Sequence, residues 1–275
     1  MIAEESTAWP GVTAPTSGGG LGFGMKWNMG WMNDTLRYLS EDPVNRRWHH
    51  GELTFSLVYA FSENYVLPLS HDEVVHGKGA LVSKMPGDHW QQMAGLRSLF
   101  AYQWSHPGKQ LIFMGQEFAQ EQEWNESYSL DWWLYDRPDH AGMAALVARL
   151  NELYRTHSAL WNDTYTGFEW IDASDGDHNL ISYIRKSEAT SGHRAQDELV
   201  CVVNFAGNPH EGYRVGLPHA GTWQEVVNTD DPQYGGSGVV NIGELVAEEI
   251  PWNGRPYSVE LRVPPLGALW LAPQH

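Results

Sequence analysis

The chain has 275 residues, of which 42% are hydrophobic and 19% are charged, a composition that is typical of folded globular proteins and excludes a disordered chain. Its formal net charge is −17, from 34 acidic and 17 basic residues, and this disfavours nucleic acid or an anionic membrane as a partner. No apolar run approaches the roughly 18 residues of a membrane span, and the start of the chain lacks the basic and apolar segments of a signal peptide. Cys201 is the only cysteine, so no intrachain disulfide can form and we expect a cytoplasmic protein.

Up to about residue 160, strand-like runs alternate with helical ones. A buried strand is predicted over residues 64–69 (NYVLPL), and a helix over about 88–106. A second short strand follows at 110–114 (QLIFM), and then a helix at about 139–157 with a regular apolar stripe. Strand, helix, strand and helix of these lengths predict a parallel sheet covered on both faces.

After residue 160 the helical periodicity ends and short β-prone runs follow one another. They are separated by turn-rich segments such as residues 235–238 (GGSG). The predicted strands are residues 167–171, 180–184, 199–205, 223–227, 258–263 and 267–271. The pattern predicts an antiparallel β-sandwich over residues 161–275, after an α/β region over residues 1–160.

The chain is rich in aromatic residues, with 14 tryptophans and 12 tyrosines. Exposed aromatic rings stack on the apolar faces of sugars, so this content is compatible with carbohydrate binding. Most of these rings, taken singly, are equally explained as core residues.

Two acidic runs are candidates for chemistry. Residues 3–7 (AEEST) contain Glu4 and Glu5, and residues 70–73 (SHDE) follow a predicted parallel strand, where barrel enzymes gather catalytic side chains. Two carboxylates facing one cleft are what cleavage of a glycosidic bond requires. A solvated acidic pair at Glu4 and Glu5, and a turn or helix cap at Asp72, are equally ordinary interpretations. Spacing alone does not decide between them.

The histidines do not predict a metal site. His71 and His76 stand five residues apart, whereas a helical zinc motif places its histidines at i and i+4 on one face. The adjacent His49 and His50 are also poorly placed for one ion. We therefore expect no metal and no cofactor.

Residues 3–7 and 67–78 (LPLSHDEVVHGK) resemble two signature regions of the alpha-amylase superfamily, in the form found in bacterial glycogen branching enzymes (1,4-alpha-glucan branching enzymes). Four further segments are similar to that family: residues 25–32 (MKWNMGWM), 85–88 (MPGD), 113–118 (FMGQEF) and 264–271 (PPLGALWL). The resemblance covers essentially the whole chain. It implies the C-terminal half of a (β/α)8 barrel, about strands 5–8, followed by the sandwich domain.

The resemblance also implies roles for individual residues. Glu4 would be the general acid/base after the fifth barrel strand, and Asp72 would stabilise the transition state after the seventh. His71 would hydrogen-bond sugar hydroxyls, and Lys26 and Trp27 fall in a family-like segment that we assign to substrate binding. The implied reaction cleaves an α-1,4 link with retention and transfers the oligosaccharide to a 6-hydroxyl. The implied partner is an α-glucan, either glycogen or a linear maltooligosaccharide.

One family feature is missing. The family nucleophile is an aspartate in a segment of the type Arg-x-Asp-Ala, and no such segment occurs in this sequence. We therefore expect the chain to be inactive alone, unless a companion chain supplies the missing barrel half. Two other functions stay open at this stage: a related amylase or debranching hydrolase, and a non-catalytic glucan-binding module.

Overall fold

The computed structural model describes residues 1–188 and 197–274. The predicted sandwich region, 161–275, therefore includes residues 189–196 and 275, which lie outside the described part of the chain. The described residues contain four α-helices: α1 (Met29–Ser40), α2 (Gly51–Thr54), α3 (His89–Ser105) and α4 (Pro138–Thr156). None of them is both long enough and apolar enough to cross a membrane.

Four strands form a fully parallel sheet in the order β1-β2-β3-β4. They are β1 (Ile2–Ala3), β2 (Met25–Trp27), β3 (Tyr65–Leu69) and β4 (Lys109–Ile112). The helices α1 and α2 lie between β2 and β3, and α3 lies between β3 and β4. The connection from β1 to β2 contains only a short 3-10 helix, Thr16–Gly18. The predicted strands at 64–69 and 110–114 are confirmed, while α1, β1 and β2 had no prediction from periodicity.

The remaining strands are antiparallel. A six-stranded sheet has the order β10-β9-β12-β7-β6-β5, and β11 pairs with β8 in a separate ribbon. Their bounds are β5 (Phe168–Asp172), β6 (Leu180–Lys186), β7 (Glu198–Asn204), β8 (His210–Leu217), β9 (Thr222–Asn228), β10 (Leu245–Val246), β11 (Tyr257–Val263) and β12 (Gly267–Pro273). One buried apolar cluster contains side chains from both sheets, which pack as the sandwich that the sequence predicts.

Helix α3 is buried on every side. Asp88 caps its start by accepting a hydrogen bond from the Gln91 amide at 2.9 Å, and every residue from 93 to 105 is buried. The helix contacts β4 of the parallel sheet, β7 and β12 of the antiparallel sheet, and α4. The predicted helix is confirmed, and it is buried more completely than one apolar face would give because β4, β7, β12 and α4 all pack against it.

Helix α4 behaves as an ordinary amphipathic helix. Five residues of its predicted stripe are buried: Met143, Leu146, Val147, Leu150 and Leu153. Pro138 occupies the first turn, where its missing amide hydrogen costs nothing. The period of 3.6 residues therefore gave the buried face of this helix correctly.

Three buried arginines join the parallel and antiparallel parts. Arg46 donates to the Phe205 carbonyl at 2.7 Å, and Arg97 donates to the Thr229 carbonyl at 2.9 Å. In the opposite direction, Arg185 of β6 donates to the Ser105 carbonyl at the end of α3, at 2.6 Å. All three side chains are at most 1% exposed, and burial lowers the pKa of each guanidinium. Carbonyl acceptors thus compensate for part of the cost of removing these cations from water.

His106 follows α3 and is buried with two hydrogen-bond partners, Ser56 Oγ at 2.9 Å and the Pro107 carbonyl at 2.8 Å. Burial lowers the pKa of this imidazole from its ordinary 6.5 to about 3. Between these values the unfolded chain binds a proton that the folded protein does not bind. The free energy of unfolding therefore decreases as pH falls through 6.5, and this loss continues until about pH 3.

We expect His106→Gln to reduce the loss of stability between pH 7 and pH 5, because glutamine keeps both hydrogen-bonding functions but does not titrate. Urea unfolding at the two pH values measures the difference. His178→Gln is the control, since His178 is exposed on the surface. An unchanged pH dependence in His106→Gln would contradict the assignment.

Candidate active site

The candidate residues lie where parallel strands end. Glu4 directly follows β1, Asn28 follows β2, and His71 and Asp72 come shortly after β3. Gln116 follows β4 in a short 3-10 helix. Because all four strands run parallel, their carboxyl ends form one edge of the sheet, the edge that bears active sites in barrel folds.

The two adjacent glutamates have different surroundings. Glu5 pairs with Lys26, with Oε2 at 2.7 Å from Nζ, and it accepts a hydrogen bond from the Thr7 amide at 2.7 Å. The hydrogen bonds from Lys26 and Thr7 lower the pKa of Glu5 from 4.5 to about 2. Glu4 is exposed and lines an open cavity of about 440 Å³. Glu5 is thus held ionised, whereas Glu4 is free to meet a ligand.

This cavity lies against the sheet and is lined by side chains from all four strands or their ends: Ile2, Glu4, Met25, Trp27, Val66, Lys109, Gln110 and Leu111. Trp27 therefore shares a concave surface with Glu4. Lys26 is 5% exposed, and its ammonium also donates to the Thr7 carbonyl at 2.9 Å. Of the two predicted substrate-binding residues, Trp27 faces open space and Lys26 holds the segment after Glu4.

The turn after β3 presents His71 and Asp72 to solvent. Ser70 accepts a hydrogen bond from the Asp72 amide, and its own hydroxyl donates to the buried Glu73 carboxylate at 2.8 Å. This capping box fixes a 3-10 turn over His71–Glu73. The side chains of His71 and Asp72 are 49% and 43% exposed, with Nε2 and Oδ1 3.3 Å apart. Glu73 has the structural role in this motif, and the preceding two residues remain available.

Aromatic rings flank this turn. The His71 ring lies 5.9 Å from the Phe113 ring, which in turn makes an edge contact with Trp124 at 5.2 Å. Phe113 follows β4, so the ends of β3 and β4 are in contact at this edge. The ends of β3 and β4 together line one side of His71, the candidate sugar-binding histidine.

A carboxylate that no sequence pattern indicated holds the loop after Asp72. Glu123 accepts hydrogen bonds from the Gly77 amide at 2.8 Å and the Gly79 amide at 2.9 Å. These bonds lower the pKa of the Glu123 carboxyl. Gly77 and Gly79 have φ of 85° and 72°, which glycine adopts without strain. The glycines on either side of Lys78 were the only sequence signal of this loop.

A second open cavity, of about 520 Å³, lies on the other side of Lys26 and includes Glu5 and the aromatic residues Trp9, Phe55, Tyr59 and Tyr65. More broadly, six of the 14 tryptophans are exposed: Trp9, Trp48, Trp132, Trp133, Trp161 and Trp252. Packing in the core therefore does not explain all 14 tryptophans, and the exposed ones remain candidates for stacking on sugars.

We expect Glu123→Gln to speed hydrogen exchange at the amides of Gly77 and Gly79, because one of two charged acceptor oxygens is replaced by an amide nitrogen. Exchange mass spectrometry of a peptide covering residues 74–80 measures this. Glu126→Gln is the matched control, since Glu126 is exposed in the same loop. Equal exchange in the two variants would show that Glu123 does not hold the loop.

Known proteins resemble this chain along nearly its whole length. Residues 170–274 match the alpha amylase C-terminal all-beta domain. The chain is 57% identical over 98% of its length to a 1,4-alpha-glucan branching enzyme of Leifsonia xyli, and 59% identical over 99% to one of Frankia casuarinae. A branching enzyme of Thermobifida fusca is 59% identical over 98% of the chain.

The chain spans only about a third of these relatives, with 36%, 34% and 36% of their respective lengths covered. Its fold resembles part of the crystal structure of an alpha-amylase from H. orenii, with a TM-score of 0.56 at 14% identity, over 99% of this chain and 53% of that one. The predicted resemblance is confirmed: along nearly its whole length the chain is similar to part of bacterial 1,4-alpha-glucan branching enzymes.

Proposed function

We propose that this chain is the acid/base-bearing part of a glycogen branching enzyme, which cleaves α-1,4 links of an α-glucan and rejoins the oligosaccharide to a 6-hydroxyl. The observation that carries the proposal is the identity of 57% or more to curated branching enzymes over nearly every residue. The substrate is glycogen or a linear maltooligosaccharide, and the reaction takes place in the cytoplasm.

We further propose that β1 to β4 are strands 5–8 of a (β/α)8 barrel, with residues 1–160 forming the barrel part and 161–275 the sandwich domain. In the described sheet, β1 and β4 each have one partner, so each has an edge at which a further parallel strand can pair. Closing a barrel removes both edges. The connection between β1 and β2 contains no α-helix, only the 3-10 helix Thr16–Gly18, and this is a departure from the regular pattern of strand and helix.

Glu4 is the proposed acid/base. It protonates the leaving glycosidic oxygen in the first half of a retaining reaction, and takes the proton of the acceptor 6-hydroxyl in the second. The choice of Glu4 over Glu5 has physical support, because Glu5 is paired with Lys26 and its pKa of about 2 prevents it from delivering a proton near neutral pH. Glu4 also lines the cavity that borders the sheet.

His71 and Asp72 are proposed to act together on the sugar at the point of cleavage. His71 donates to its hydroxyls, and the Asp72 carboxylate stabilises the positive charge that develops on the ring. Their half-exposed side chains on a fixed turn support this, since rigid placement is what positioning residues need. Trp27 is proposed as a stacking surface, and Lys26 as the residue that keeps the segment after Glu4 in place.

A retaining reaction also needs a nucleophilic carboxylate, and no Arg-x-Asp-Ala segment occurs in the sequence. We propose that the nucleophile belongs to the portion of the relatives that this chain does not span, on a longer polypeptide or a companion chain. A covalent glycosyl intermediate suits transfer, because it persists until a sugar hydroxyl replaces water as the acceptor.

The purified 275-residue chain is expected to leave amylose unbranched, because it lacks the nucleophile motif. An iodine-stain assay measures the change in absorbance as branches form. A full-length relative serves as the positive control. Branching above background by the chain alone would refute the proposal that the nucleophile lies outside this chain.

In an enzyme that contains the whole site, Glu4→Gln is expected to lower turnover by at least about 100-fold while glucan binding is kept, since general acid/base catalysis contributes roughly 10²–10⁴-fold. Glu5→Gln is the matched control and is expected to retain more activity. Near-normal turnover in Glu4→Gln would mean that another acid does the work. Counting new α-1,6 links against released reducing ends separates a branching transferase from an amylase-type hydrolase.

A further inference from the structure

A second cluster of ionisable side chains lies outside the site described above and joins three segments. His89 is the first residue of α3, Glu121 lies in the loop after β4, and His140 lies in the first turn of α4. Among the residues that the structure describes, these three form the group whose nitrogen and oxygen atoms all lie within 4.8 Å of one another. Asp139, beside His140, adds a second carboxylate within hydrogen-bond reach of His89.

The separations of Glu121 from the two histidines are near those around a single ion. His140 Nε2 lies 3.2 Å from Glu121 Oε1 and 3.8 Å from Asp139 Oδ2, and His89 Nδ1 lies 3.9 Å from Glu121 Oε1. A tetrahedral zinc with bonds of about 2.0–2.1 Å keeps its ligand atoms about 3.3 Å apart. Shifts of about half an ångström therefore bring these donors to the distances that the metal requires.

The hydrogen bonds of His140 make a cation at this position chemically reasonable. His140 is fully buried, and its Nδ1 lies 2.8 Å from the Phe118 carbonyl, which can only accept, so Nδ1 carries the proton. In the neutral ring, the Nε2 lone pair then points at the Glu121 carboxylate 3.2 Å away. Two lone pairs repel unless a cation or a second proton lies between them. Metal-binding histidines commonly donate their other nitrogen to a carbonyl in this way.

Arg137 adds one positive charge to the cluster, which does not neutralise both carboxylates. It donates to Glu121 and to Asp139, each at 3.0 Å, and also approaches His89 Nε2 at 3.1 Å. With neutral histidines, two carboxylates and one guanidinium leave a net charge of −1, so a divalent cation is electrostatically favoured. Hydrogen bonds to metal-bound carboxylates are the usual way in which neighbouring groups orient them.

We propose that His89, Glu121 and His140 bind a divalent transition metal, for which Zn²⁺ has the matching nitrogen and oxygen preference, while Asp139 orients His89 through the other ring nitrogen. The metal joins the loop after β4 to the first turns of α3 and α4. Its role is structural and separate from the glycosyl-transfer chemistry. The donors come from distant parts of the chain, so no sequence motif indicated this site.

The test uses the full chain after dialysis against a chelator. Zn²⁺ is titrated against a chromophoric competitor, and Co²⁺ is added in parallel because four-coordinate Co²⁺ absorbs visible light. The expected result is one equivalent of bound metal and a Tm raised by several degrees. His89→Ala and Glu121→Gln are each expected to weaken binding by at least about tenfold.

His178→Ala is the control, because His178 pairs with Asp175 at 2.7 Å on the surface and is not part of the cluster. Two variants at the site are used so that the failure of one to fold, judged by circular dichroism, leaves the test intact. Absence of stoichiometric binding, or equal weakening by His178→Ala, would overturn the proposal. In that case the Arg137 ion pairs and the hydrogen bonds of the two histidines account for the cluster.

Discussion

The burial of α3 from all sides is the constraint on which the rest of the structure depends. Helix α3 packs against β4 of the parallel sheet, against β7 and β12 of the antiparallel sheet and against α4, so both sheets must present a surface to it. The backbone of α3 satisfies its own hydrogen bonds, so the helix can occupy a water-free interior. Because α3 also follows the turn that carries His71 and Asp72, its packing fixes the region behind the candidate site.

The elements that were predicted correctly are those with a clear local pattern of apolar residues. The run at Tyr65–Leu69 is apolar throughout, as a strand covered on both faces must be, and the buried side of α4 is one apolar stripe at helical spacing. Glu4, His71 and Asp72 could be named as candidate site residues because they stand in segments that resemble a known family, and their roles stay predictions. In these cases a local pattern contains the whole of the physical information.

The features that were missed depend on contacts between distant residues. Strand β8 contains Gly212, at a φ of 69°, and Gly216, which interrupt the alternation that identifies a strand. The difference between Glu4 and Glu5 comes from Lys26, which lies on the next strand. The anchoring of the Gly77 and Gly79 amides by Glu123 likewise depends on a residue more than forty positions away. A periodic pattern of apolar residues does not indicate which distant residues contact one another.

The three buried arginines that join the parallel and antiparallel parts have a consequence for how the sequence can change. Arg46, Arg97 and Arg185 each donate to main-chain carbonyls across that boundary. A residue of any type has such a main-chain carbonyl. Mutation of the accepting residue therefore leaves the bond available, provided that the backbone keeps its path. Loss of an arginine leaves buried carbonyls without a partner. Substitutions of the residues that supply these carbonyls are thus tolerated, whereas substitutions of the three arginines destabilise the fold.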